Sequence, residues 1–62
     1  MEETVLTAVR NLHEGDVIVG EEGGRSYVKD AGPSSRIPGC YSIETEHGTL
    51  EMDPDFEVFI LA

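Results

Sequence analysis

No window of this chain repeats apolar residues at the helical period of about 3.6 over three turns. The apolar residues come instead in short runs, each closed by a turn signal: "NLHEGD", "EEGGR", "AGPSSRIPG", "HG" and "DPDF". Such punctuation marks many short strands. The best helical candidate, residues 2–12, contains "TVLTAV", whose β-branched residues favour a pleated surface. The spacing therefore predicts strands over 4–10, 16–21, 26–30, 40–46, 49–52 and 57–61. Gly23-Gly24 and His47-Gly48 supply tight turns. "DPDF" predicts one helical turn, with Asp53 as cap and Pro54 in first position. Residues 30–39 form the one long irregular stretch.

Size limits what these strands can enclose. A chain of 62 residues makes one domain, 1–62. It buries only about 60% of the surface its unfolded form exposes. That leaves no room for a deep cleft, so an enzyme is not expected. Cys40 is the single cysteine, which excludes an intrachain disulfide and a Cys-x-x-Cys zinc ribbon. A lone thiol suits a reducing compartment. The first residues are acidic where a signal peptide needs bases, and no apolar stretch reaches membrane-span length. The expectation is a cytoplasmic protein with no membrane partner.

Charge narrows the partners. Thirteen acids face four bases, for a net charge of −9, and residues 41–62 carry no base. Phosphate backbones require clustered Lys and Arg, so direct nucleic-acid binding is disfavoured. Anionic membrane surfaces are disfavoured for the same reason. Net negative charge also keeps a small protein dispersed.

Two-residue alternation is clearest across 41–52. Tyr41, Ile43, Leu50 and Met52 point one way. Glu44, Glu46, Glu51 and Asp53 point the other, as an acidic face. A two-residue turn at His47-Gly48 would set Glu46 opposite Thr49, Glu44 opposite Glu51 and Ser42 opposite Asp53. Alternate strand positions lie about 6.6 Å apart, near the phosphate spacing of an extended nucleic acid. Such a face would mimic nucleic acid and occupy the basic groove of a DNA-binding protein.

"LHEGDVIV", residues 12–19, resembles the Leu-x-x-Gly-Asp-Val opening of many SH3-like barrels, KOW-type modules among them. The resemblance extends over most of the chain in strand order. It implies an all-β, SH3-like barrel of five to six short antiparallel strands with one helical turn before the last. In KOW-type modules it also implies contact with RNA or with protein, and the missing bases point to protein.

Both terminal strands carry apolar residues on two faces. Phe56, Val58 and Ile60 would fill the interior, leaving Phe59 and Leu61 outside. Val5 and Val9 stand in the same relation to Leu6, Ala8 and Leu12. A chain this small has little material for a second core, so the surplus face predicts a homodimer or a protein partner. Arg36 and Ile37, on the proline-bearing 30–39 loop, are a second candidate contact, with Tyr27 and Tyr41 as an aromatic floor.

The remaining chemistry is sparse. His13 and His47 fall in turns, and Cys40 opens a strand as a small buried thiol. No nucleophile motif is present, so no catalytic residue is expected. Glu51, Asp53, Asp55 and Glu57 recur at every second position, but Pro54 bends the run and the EF-hand spacing is missing. No metal or cofactor is expected. The reading is a protein-interaction module, with nucleic-acid mimicry as the alternative.

Overall fold

The computed structural model describes residues 2–62. Its strands are β1 (Thr4–Ala8), β2 (Val17–Val19), β3 (Arg25–Pro33), β4 (Tyr41–Thr45), β5 (Gly48–Met52) and β6 (Glu57–Leu61). A 3₁₀ turn, Val9–Asn11, follows β1. All pairings are antiparallel, in the order β1-β6-β2-β3-β4-β5. The ends of this order, β1 and β5, do not pair with each other, so the sheet stays open. The all-β, antiparallel reading holds at this level.

β3 is the hinge of the sheet. Its residues Arg25 to Tyr27 pair with β2, and Val28 to Pro33 pair with β4. The register shifts between Val28 and Asp30, leaving Lys29 as the extra residue. Such a bulge bends the strand and increases its twist. The sheet thus has a terminal half (β1, β6, β2 and the start of β3) and a hairpin half (the rest of β3, β4 and β5).

Val9, Leu12, Val28 and Ile43 form the buried core, with Ile18, Ala31, Tyr41, Met52, Val58 and Ile60 packed against it. The chain leaves β1 as a 3₁₀ turn, closed by Leu12 N–H donating to the Val9 carbonyl at 3.0 Å. In this geometry side chains at i and i+3 align, so Val9 and Leu12 both point inward. A strand continued to residue 10 would have sent them to opposite faces.

The same turn corrects the expected helix at 53–56. Phe56 N–H reaches the Asp53 carbonyl at 3.0 Å, and the Asp53 carboxylate accepts from Asp55 N–H at 2.8 Å. The Pro54 and Phe56 carbonyls instead accept from Arg10 N–H (3.0 Å) and Val9 N–H (2.8 Å). Taken by the 3₁₀ segment, they cannot carry a helix forward. "DPDF" is a tight turn, and Phe56, still within it, is 56% exposed rather than interior.

Two further expectations change. The first four residues of the 30–39 stretch are strand, because Asp30 to Pro33 each find a partner on β4. The β4–β5 hairpin turns at Glu46-His47, with Thr45 opposite Gly48. A two-residue turn at His47-Gly48 would need positive φ at His47, whether of type I′ or II′. Only glycines have positive φ among the described residues, and here Gly48 takes it, at 124°. The Thr45 hydroxyl, buried, donates to the Gly48 carbonyl at 2.9 Å and accepts from His47 N–H at 3.1 Å, locking the turn.

The small core makes each member costly to lose. Ile43→Ala should destabilise by about 2–5 kcal/mol, against a total of only about 3–5 kcal/mol for a domain this small. Urea titration should find the variant largely unfolded at room temperature. Ile37→Ala, in an exposed loop, should stay within about 0.5 kcal/mol of the parent.

Candidate functional site

The two half-sheets present different outer faces. On the terminal half, Leu6 lies opposite Phe59, Phe59 opposite Val19, and Val19 opposite Arg25. Directly opposed residues share a face, so Leu6, Phe59 and Val19 form one apolar row across three strands. Leu6 and Phe59 are 53% and 51% exposed. Leu61 and Tyr27 belong to the same face by alternation, Leu61 half-buried and Tyr27 exposed. The reverse side carries Val5, Ile60, Ile18 and Ser26 in register, and Ile60 and Ile18 pack on the core. The apolar run of β6 therefore serves two faces.

This face is rimmed by acids. Glu57 follows Phe59 on it, and Glu21 and Phe59 line a shallow cavity of about 290 Å³ with Thr4, Val19 and Gly20. Arg25, at the end of the row, is ion-paired with Glu2.

The hairpin half presents the acidic face in altered form. Asp30 stands opposite Glu44, and Glu44 opposite Thr49; Gly32 stands opposite Ser42, and Ser42 opposite Glu51. The like-charged pair is therefore Asp30–Glu44, and Glu44 and Glu51 are diagonal neighbours rather than opposed. With the Ser34–Gly39 loop they line a cavity of about 310 Å³, into which Arg36 contributes. Arg36 makes no ion pair within 4 Å among the described residues. Glu51 is half-buried, and its Oε2 is buried without a hydrogen-bond donor.

Other acids expected on this face have local duties. Glu46 accepts from Tyr27 N–H at 2.7 Å, tying the hairpin tip to β3. Asp53 caps the 53–56 turn. His47 Nε2 donates to the Arg25 carbonyl at 3.2 Å, so it too anchors the hairpin tip. His13 is exposed, its N–H held by the Asp16 carboxylate at 3.0 Å.

Tyr27 and Tyr41 do not make a common floor. Tyr27 is on the terminal half's outer face, while Tyr41 is half-buried and packs on the core. The loop itself is a compact turn: the Ser34 hydroxyl accepts from Arg36 N–H (3.1 Å) and Ile37 N–H (3.0 Å). Ile37 is left 43% exposed. Cys40 is half-buried just before β4, its N–H on the Ile37 carbonyl at 3.2 Å.

Sequence reasoning put Phe59 and Leu61 on the outer side of the closing strand and Tyr27 beside the 30–39 loop, and it did not single out Leu6 and Val19 as contact residues. Their signal was the adjacency of apolar residues, Val5-Leu6 and Val17-Ile18-Val19, in strands that have only one inner face. Among the described residues, no three His, Cys, Asp or Glu side chains converge as metal ligands do. None of the described helical segments is long and apolar enough to cross a membrane.

Comparison with family models, curated proteins and solved structures finds no match to this chain.

The orphaned Glu51 oxygen yields a test. A buried acceptor without a donor costs about 1–3 kcal/mol, and Asp30 and Glu44 add like charge. Glu51→Gln should raise stability by roughly 1 kcal/mol, read as a higher urea midpoint at unchanged slope. Glu57→Gln, at an exposed position, should leave the midpoint where it was.

Proposed function

We propose that this chain is a non-enzymatic protein-interaction module that docks through the outer face of its terminal half-sheet. One observation carries the reading: the row Leu6–Phe59–Val19 spans three strands, and its first two members are about half exposed. Aromatic anchors in an apolar patch with a polar rim are where binding energy concentrates. The acidic rim selects a partner with Lys or Arg around an apolar anchor. The Ser34–Gly39 loop, with Ile37 exposed and Arg36 over the acidic hollow, offers a second, polar contact on the other half-sheet.

An SH3-like barrel, opened and extended, is the fold relationship we attach to this reading. Its support is the succession β6-β2-β3-β4-β5, with the long bent β3 shared between two half-sheets and β1 added outside β6. The single thiol at Cys40 supports a reducing, cytoplasmic setting as part of this reading.

A random peptide library displayed against the protein tests the docking face. Selected peptides should combine an apolar anchor with Lys or Arg. Phe59→Glu should weaken them about tenfold or more, about 1.4 kcal/mol. Equal binding to parent and variant would remove this face from consideration.

The hairpin half supports a second reading, an acidic mimic of nucleic acid. Asp30, Glu44 and Glu51 share one outer face at strand spacing. A basic DNA-binding protein should then bind quickly and lose affinity steeply with salt. If Glu44→Gln with Glu51→Gln left that binding untouched, mimicry would be discarded.

A further inference from the structure

The free edge of β1 carries an inference that rests on the docking reading above and names its occupant. Backbone groups along an antiparallel strand point alternately toward and away from the neighbouring strand. The Glu3 carbonyl accepts from Ala62 N–H at 3.0 Å, and Val9 N–H donates to the Phe56 carbonyl at 2.8 Å. Odd-numbered residues of this segment therefore face β6. The N–H and C=O groups of Thr4, Leu6 and Ala8 point off the sheet edge.

Sheet edges are ordinarily blunted by lysine, proline, a bulge or a covering loop. "TVLTA" has neither lysine nor proline, and its pairing with β6 runs without a register shift. β1 also exposes Val5 and Leu6, at 45% and 53%. The opposite edge, β5, bears Glu51 on its outer face.

We infer that two copies of this chain pair through β1, antiparallel, with the two-fold axis at Leu6. This register sets Leu6 against Leu6 of the second copy and Thr4 against its Ala8. Every outward-pointing group of Thr4, Leu6 and Ala8 is then satisfied by an outward-pointing group on the other copy. The parity follows from the ladder with β6 alone.

The apolar side chains agree with this register. On the outer face the row Val19–Phe59–Leu6 runs on into Leu6–Phe59–Val19 of the second copy, one apolar stripe across the joined sheet. On the inner face the exposed Val5 meets Thr7. The same contact is isologous, as closed dimers require. The net charge of −9 opposes it at long range. Screening beyond about 8 Å at physiological salt reduces that repulsion, so the dimer tightens as salt is added.

Sedimentation from micromolar to millimolar concentration, with amide hydrogen exchange at both ends, tests the pairing. The expected result is a monomer–dimer equilibrium strengthened by salt. The Leu6 and Ala8 amides, unpaired in the monomer, should gain protection as concentration rises. Leu6→Lys should weaken dimerisation about tenfold or more, about 1.4 kcal/mol. Leu6→Pro removes an N–H that the β1–β6 ladder does not use, and should give a monomer with the parent's circular dichroism. A strictly monomeric parent overturns the inference, as does a dimer unaffected by both substitutions or one that leaves the Leu6 amide unprotected. A monomer that still binds selected peptides through Phe59 would reject the second copy while leaving the docking face intact.

Discussion

The contact on which the rest depends is the seating of the 3₁₀ turn against the turn before β6. Two backbone bonds, Val9 to Phe56 and Arg10 to Pro54, hold it there. They place Val9 and Leu12 in the interior beside Val28 of β3 and Ile43 of β4, so the buried core is drawn from two strands plus one short plug. Without the plug the bent sheet would face a gap. Gaps of that kind are costly because interiors are packed at near-crystalline density.

A core this small covers only one side of its sheet. On the hairpin half the uncovered side is polar and charged, which water tolerates. On the terminal half it is apolar, because β1, β2 and β6 carry consecutive apolar residues where alternation would call for polar ones. The open sheet order leaves β1 at the margin of that same half. Surplus apolar surface and unpaired backbone thus coincide on one side of the molecule. Where both occur together, burial and hydrogen bonding reward the same association.

Several elements were legible before any coordinates. The closing strand 57–61 follows from a short apolar run after a turn signal, and the opposed faces of the 41–52 hairpin follow from two-residue alternation, which survives a slip of the turn by one position on each strand. The slip itself turned on backbone sterics: His47 does not take positive φ, whereas Gly48 does. "AGP" at 31–33 reads as a loop, yet these residues are strand, since Ala31 pairs with the buried Ile43 and Pro33 falls at the strand's last position. There a missing N–H is tolerated. The tight helical geometry expected at 53–56 appears instead at 9–11, where no cap or proline announced it.

Composition and alternation alone determined that this chain is all-β, acidic, and overfurnished with apolar residues at its ends, because those properties depend on residue type and period. Tertiary structure decided which of those residues are spare. Val9 and Leu12 go inward and Leu6 and Phe59 stay out because a backbone turn, held by bonds to a segment more than forty residues away, redirects the chain after β1. It also decided that Arg36 joins Glu44 and Glu51 while Tyr27 joins Phe59, since a bulge at Lys29 divides one sheet into two differently charged faces. Such long-range pairings leave no mark in a local pattern of residues.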